Sequence, residues 1–236
     1  MESPDSRQGA IISMFDGLAR HYDLMNGLMT FGRHQAWRIR AAGAAGVRPG
    51  ARVLDLCCGT GDFMRAFADR AGPQGLVCGL DYSWDMLAAG RDKLRRVKGA
   101  RLEQLRGDAR QLPFSAGMFD AVCIGFGIRN VVSPPRCLEE IHRVLRPGGR
   151  VVVLEAGRPR NALLQRAYLC YASLLTPALA RALSTNPAAY GNYLPDTIMK
   201  FPARGEFTAL MQNAGFADAV WQSLNFGTVY IYSGTK

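Results

Sequence analysis

Three aspartates and two glycines are the residues of this 236-residue chain whose types and spacing could do chemistry. Asp55 lies at the end of an apolar run, and Gly59 and Gly61 follow it in "LDLCCGTGD", residues 54 to 62. Asp81 ends "LVCGLD", 22 residues after Gly59; Asp108 ends "RLEQLRGD" and is followed by Ala109. Carboxylates at the ends of neighbouring strands beside a glycine loop describe a nucleoside site. The loop admits a ligand close to the backbone, a carboxylate accepts ribose hydroxyls, and the Asp108–Ala109 corner can meet a base edge. Each aspartate taken alone could equally cap a helix or close a turn; three together beside the loop favour the site. The ligand is not a dinucleotide, because the third glycine of that fingerprint is Met64. Nor is it a triphosphate, because the P-loop lysine is absent. Without a pyrophosphate cradle, a nucleoside carrying an amino acid fits best.

The elements that would hold these residues alternate from about residue 50. "RVLDLC" (52–57) reads as a strand and 62–71 as a helix. "LVCGLD" (76–81) is a strand, followed by a helix capped by Ser83 and reaching about Val97. "RLEQLRGD" (101–108) and "FDAVCIGFG" (119–127) are strands; Pro134 and Pro135 open a helix to Leu145. "PGG" (147–149) then turns into the strand "RVVVLEA". This alternation predicts βαβ units and a parallel sheet. "VWQSLNF" (220–226) and "TVYIYSGT" (228–235), with Gly227 between them, predict a hairpin that adds an antiparallel strand. The expected organisation is a single domain, 1–236. It comprises a helical cover (1–49), a ligand-binding core (50–157), a helical insert (158–216) and the hairpin (217–236).

Bulk properties narrow the function. With 48% hydrophobic residues the chain can build a core without disulfides. The six cysteines show no Cys-x-x-Cys pair and no zinc spacing, and read as buried reduced thiols in a cytoplasmic protein; no metal site is expected. The start, "MESPDSRQGA", is not a signal peptide. A net charge of +10 points either to a solvated surface or to an anionic partner. No block of like charge stands out, which disfavours nucleic acid.

The assembled pattern resembles the class I S-adenosylmethionine-dependent methyltransferases. That implies an α/β, Rossmann-like, mostly parallel seven-stranded sheet with an antiparallel last strand, N-terminal helices and a helical insert before the final hairpin. The amine-methylating Asx-Pro-Pro-aromatic motif is not at "GFGIRN" (125–130), and no Pro-Cys pair offers a nucleophile for cytosine. "YDLMNGLMTFGRHQAWR" (22–38) closely resembles the N-terminal signature of the ubiquinone/menaquinone biosynthesis C-methyltransferases, with Thr30 where that family usually has Ser. "RVLRPGGRVVVLEAG" (143–157) resembles the second signature, departing at Arg146 and Gly157, and "FGIRN" resembles the family's FGLRN. "YGNYLPDTIMKFP" (190–202) and "NFGTVYIYSGTK" (225–236) are similar more loosely; Tyr232 stands where His is common.

The resemblance implies S-adenosylmethionine held at Gly59, Thr60, Gly61, Asp81, Asp108 and Ala109. Gly125 falls where the family often has a cofactor-contacting Ser. It implies methylation of a ring carbon of a polyprenylated hydroquinone, demethylmenaquinol first and a 2-polyprenyl-6-methoxy-benzoquinol second. An O- or N-methyltransferase for small molecules, or a non-catalytic cofactor- or RNA-binding protein, are the rival readings on the same fold. Chemically, a phenol with a pKa of about 10 becomes a carbon nucleophile on deprotonation. Arg129 could stabilise the phenolate and Asn130 orient the oxygen. Tyr22, Asp23 or His34 could pass the proton through a water. Arg129 could instead pair with a carboxylate, Tyr22 merely cover the cofactor, and His34 be a satisfied helix residue. The apolar stretch 163–183 reads either as a helix pair broken near Pro177 or as the wall of a tunnel for the prenyl tail that touches the inner face of the cell membrane. Together with the N-terminal helices it could also form a homo-oligomer interface.

Overall fold

The computed structural model describes residues 4–187 and 193–236. The first three residues of the "YGNYLPDTIMKFP" segment therefore lie outside the described residues.

The sheet follows from its apolar runs. β1 (Arg52–Leu56), β2 (Leu76–Asp81), β3 (Arg101–Arg106), β4 (Phe119–Gly125) and β5 (Leu145–Ala156) are joined by α4 (Asp62–Ala71), α5 (Trp84–Arg95) and α6 (Pro134–Val144). With β6 (Ala217–Leu224) and β7 (Val229–Thr235) the strand order is β3-β2-β1-β4-β5-β7-β6, with β1 to β5 parallel. Central strands such as β1 and β4 are buried on both faces, so they read as continuous rather than alternating apolar stretches. On one face Leu54, Leu56, Val122, Ile124, Val151 and Val153 pack with Leu138 and Ile141 of α6 and with Phe207 and Met211 of α9 (Gly205–Asn213). On the other, Val53, Val77, Cys123 and Val152 meet Phe63, Met64 and Phe67 of α4 and Ala41 and Ala42 of α3 (Arg33–Ala44). The Ser83 hydroxyl caps α5 by accepting from the Met86 N–H, so the α5 N-terminus sits where the local sequence puts it.

The hairpin is built of β6 (Ala217–Leu224) and β7 (Val229–Thr235). β7 is antiparallel to both β5 and β6 and lies between them. The connecting turn is longer than the single Gly227 expected: Asn225, Phe226 and Gly227 all take left-handed backbone, at φ 46°, 58° and 89°. That turn ends β6 two residues before the apolar pattern does.

A third apolar cluster caps the sheet. Met14 and Leu18, in and just after α1 (Pro4–Asp16), and Met25 of α2 (Tyr22–Thr30) pack with Ala180 of α7 (Ala162–Leu183); Tyr193 of α8 (Tyr193–Lys200) lies at its edge. α7 runs unbroken through Pro177, contrary to the expected break. A proline removes one helical hydrogen bond, but buried Ala172, Thr176 and Ala180 hold the helix on both sides of it. Cys170, expected to be buried, is exposed on α7; all six cysteines are free thiols.

Tyr232 is fully buried in β7. Its ring packs 4.7 Å from that of Phe207, and its hydroxyl accepts the Arg204 N–H at 3.0 Å at the start of α9. Tyr232→Phe should lower unfolding stability by about 1 kcal/mol, the ordinary net value of one hydrogen bond. Urea denaturation with an unchanged m-value would measure it; an unaltered midpoint would show that this bond does not hold α9.

Candidate active site

The carboxyl ends of β1, β2 and β4 open into a cleft. Gly59, Asp81, Asp108, Ala109 and Gly125 line it, with Tyr22 and Asn130 at one end, and Gln8, Ile11, Ile12 and Phe15 of α1 lie across it. The Asp81 carboxylate accepts the Gly59 N–H at 2.8 Å through Oδ2 and the Ser83 N–H at 2.9 Å through Oδ1. Burial raises the Asp81 pKa, opposed by those backbone donors. Asp108 lies beyond β3, not at its end. It is bound by Arg110 through Nε at 3.0 Å and Nη2 at 2.7 Å on one carboxylate oxygen. Partial burial would raise its pKa, but the Arg110 hydrogen bonds outweigh this and lower it.

Thr60 and Gly61 do not line the cleft. The Thr60 hydroxyl points the other way and donates to Asp23 Oδ1 at 2.6 Å. Gly61 is needed for packing: at φ 83° a Cβ there would stand 2.7 Å from Leu94 of α5.

A second cavity, of about 630 Å³ and mostly apolar, adjoins the cleft. Phe15, Tyr22 and Phe126 belong to both, so they form the shared wall. Phe126 holds a left-handed backbone at φ 59°, a strained conformation for a bulky residue that turns its ring into this wall. α7 runs along the cavity, contributing Leu164, Tyr168, Ala172 and Thr176 at four-residue spacing.

Arg129 lines the large cavity and Asn130, the next residue, lines the cleft. Arg129 is 8% exposed and pairs at 2.5 Å with Glu155, which is fully buried at the end of β5. Its Nη1 also donates to the Phe126 carbonyl at 2.7 Å, and its Nε is buried without a partner among the described residues. The structural alternative for Arg129 is thus realised, and it coexists with access to the cavity. Nothing in the sequence pattern singled out Glu155, although a carboxylate at the carboxyl end of an apolar strand is the same signal that marks Asp81. Asn130 Oδ1 accepts from the Tyr193 hydroxyl, a partner in the loosely similar C-terminal segment. The Tyr22 pKa is raised by burial, so its phenol stays protonated.

The chain matches the model of the ubiE/COQ5 methyltransferase family over residues 2–236. The chain belongs to this family. It is 36% identical over 231 residues to the demethylmenaquinone methyltransferase of Geobacillus kaustophilus, covering 98% of each chain. It is 38% identical to the ubiquinone/menaquinone biosynthesis C-methyltransferase UbiE of Teredinibacter turnerae, covering 96% of this chain and 91% of that one. Among solved structures, a SAM-dependent methyltransferase from Thermotoga maritima superposes with a TM-score of 0.66 at 21% identity, covering 94% of this chain and 98% of that one; this likeness shows the fold.

As a member of the ubiE/COQ5 family this protein is an S-adenosylmethionine-dependent methyltransferase, and the cleft suits that cofactor. Among the described residues lining it there is no lysine or arginine, while two carboxylates, Asp81 and Asp108, face it. That polarity welcomes a sulfonium and repels pyrophosphate. Of the guanidiniums beside it, Arg129 has its charge matched by Glu155 and Arg110 by Asp108.

The N-terminal helices are tied to this core by charge. Lys93 of α5 binds Asp23 of α2 at 2.6 Å and Asp62 of α4 at 2.7 Å, and donates to Thr60 at 3.0 Å. Asp23 is not among the residues lining either cavity. His34 does line the large cavity. Its Nδ1 accepts from Arg38 at 2.7 Å, and burial followed by Arg38 lowers its pKa, so it is neutral with the proton on Nε2. Burial alone would raise the Asp62 pKa, but Arg38 and Lys93 outweigh it and hold it below 3.8.

Asp81→Ala should weaken S-adenosylmethionine binding by roughly 30- to 150-fold, for the loss of about 2–3 kcal/mol of charge-assisted hydrogen bonding. Calorimetric affinity unchanged in that variant would remove Asp81 from the site. A folded-state pKa below the unfolded value means that Asp62 stabilises the fold fully above pH 3.8 and progressively less as pH falls through the depressed pKa. The stability gap between the parent protein and Asp62→Asn should therefore be widest near neutrality and narrow below that value. Thermal unfolding across pH 3–7 would show it, and a gap independent of pH would mean that the ion pairs to Arg38 and Lys93 contribute nothing.

Proposed function

We propose that this methyltransferase transfers a methyl group to a ring carbon of a polyprenylated hydroquinone in respiratory quinone biosynthesis, with demethylmenaquinol as the substrate. The observation that carries this reading is the 630 Å³ apolar cavity meeting the nucleoside cleft across Phe15, Tyr22 and Phe126. It has room for a flat bicyclic ring and the start of an isoprenoid tail, and offers small polar O- or N-acceptors little. The relatives named demethylmenaquinone methyltransferase support it; the name of the Teredinibacter relative keeps a ubiquinone precursor as the second substrate. A substrate with such a tail resides in a membrane, so the reaction belongs at its cytoplasmic face. No described helix is long and apolar enough to cross a membrane.

S-adenosylmethionine, when bound, supplies an electrophilic methyl group. The protein's share is to align the ring and make its carbon nucleophilic. Arg129 presents a permanent cation to the cavity and favours the ionised phenol. Asn130, whose Oδ1 is held by Tyr193 on the cleft side of the shared wall, orients the same oxygen through its amide. Tyr22 closes the boundary between ring and cofactor. Gly59, Asp81, Asp108, Ala109 and Gly125 form the cofactor's surface, and Thr60 and Gly61 support it from behind. Residues 1–49 act as the cover, 50–157 as the cofactor core, 158–216 as the cavity wall and 217–236 as the closing hairpin of one domain.

Removing Arg129 alone would strand buried Glu155, at about 3–5 kcal/mol in stability. The informative variant is therefore Arg129→Gln with Glu155→Gln. It should turn over a short-tailed demethylmenaquinol, kept reduced with dithionite, at least roughly 100-fold more slowly, while calorimetry shows cofactor affinity within a few fold. Full activity would take Arg129 out of the mechanism. Methylation of the oxidised quinone without reductant would refute the phenolate scheme, because that ring is itself an electrophile.

A further inference from the structure

We propose that the outer face formed by α2, α7 and the β6–β7 turn docks on an anionic lipid bilayer, with the mouth of the large cavity opening directly onto lipid. This rests on reading that cavity as the site of a polyprenyl-tailed substrate.

The first observation is where apolar side chains are left in the open. Phe31, at the α2–α3 corner, is 82% exposed, and Phe226, at the hairpin tip, is 83% exposed. Both hold left-handed backbone, at φ 50° and 58°, a strained choice for a bulky side chain and one that a packed core does not reward here. The two tips are neighbours, because Arg33 donates to Asn225 at 2.9 Å. Phe31, Arg33, Leu164 and Asn225 line the cavity, so these tips rim its mouth. Behind them run two apolar stripes on touching helices: Leu24 and Leu28 on α2, and Leu163 and Leu174 on α7, the last two 78% and 70% exposed. An apolar face of this kind, spread over two helices and a loop tip, marks an interaction surface.

The second observation is charge. Residues 24–54, 156–195 and 219–236 contain the α2–α3 corner, α7 and the hairpin tip, and hold no aspartate or glutamate at all. They carry 10 of the 29 basic residues, while the rest of the chain has 19 basic and 19 acidic residues. The whole net charge of +10 is thus confined to three segments. Arg33, Arg40, Arg160 and Arg166 are exposed on the parts flanking the mouth. Aromatic tips and leucines collared by arginines suit the boundary between acyl chains and anionic headgroups. A second copy is the poorer occupant, because a two-fold contact would set these acid-free segments against each other. No described helix can span a bilayer, so the face lies in the interface plane.

The test is flotation of the whole protein with phosphatidylcholine vesicles, with and without phosphatidylglycerol. The parent protein should float with the anionic vesicles and lose this at high salt. Leu174→Gln with Phe226→Asn, neither of which lines the nucleoside cleft or the large cavity and the second of which suits left-handed backbone, should reduce partitioning roughly tenfold. Arg40→Gln with Arg166→Gln should erase most of the phosphatidylglycerol preference, at about fivefold per arginine. Both variants should keep their cofactor affinity and their turnover of a short-tailed hydroquinone in solution. Failure of the parent protein to float, equal flotation with both vesicle types, or a dimer in light scattering that Leu174→Gln with Phe226→Asn dissociates would each overturn the proposal. Vesicle binding without turnover of the short-tailed hydroquinone would support docking while refuting the substrate reading. Turnover without vesicle binding would refute docking alone.

Discussion

The buried Arg129–Glu155 pair is the interaction on which the site depends. Two opposite charges removed from water carry a desolvation cost that their attraction only partly offsets, so such a pair adds little stability over an apolar substitute. Its value lies in geometry. Glu155 ends β5 and Arg129 follows β4, and the Arg129 guanidinium also holds the Phe126 carbonyl. One ion pair thereby fixes the turn after β4 and sets the Phe126 ring between cofactor cleft and cavity. It also settles an electrostatic conflict. A bare guanidinium beside a sulfonium would be repulsive; with Glu155 behind it, the local charge is balanced while the cation still borders the large cavity.

The N-terminal helices complete what the sheet cannot build alone. The carboxyl ends of parallel strands give a nucleoside shelf but no walls. α1 crosses the shelf, and α2 with α7 encloses the large apolar cavity. Apolar packing of Met14, Leu18 and Met25 against Ala180 joins these helices to each other. The Lys93 ammonium, bridging Asp23 and Asp62, joins them to the core. Thr60 belongs to this second connection, which is why its side chain turns away from the shelf.

The sequence by itself determined much of what rests on local pattern. The helix 62–71 and the strand 76–81 fall where periodicity places them, and Ser83 caps α5 because its hydroxyl reaches an N–H only three residues away. The family, and with it the cofactor and the reaction class, was legible in the 22–38 and 143–157 signatures. Tertiary structure decided what depends on residues far apart in the chain. Glu155 meets Arg129 across 26 positions, and Asp23 reaches Lys93 across 70. Pro177 fails to break α7 because packing on both sides of it outweighs one lost hydrogen bond. The hairpin turn takes three left-handed residues to bring β7 between β5 and β6. Local spacing fixes which backbone groups can bond to each other; only folding fixes which charges and rings end up within a few ångströms, because that depends on the shape of the whole sheet and its cap.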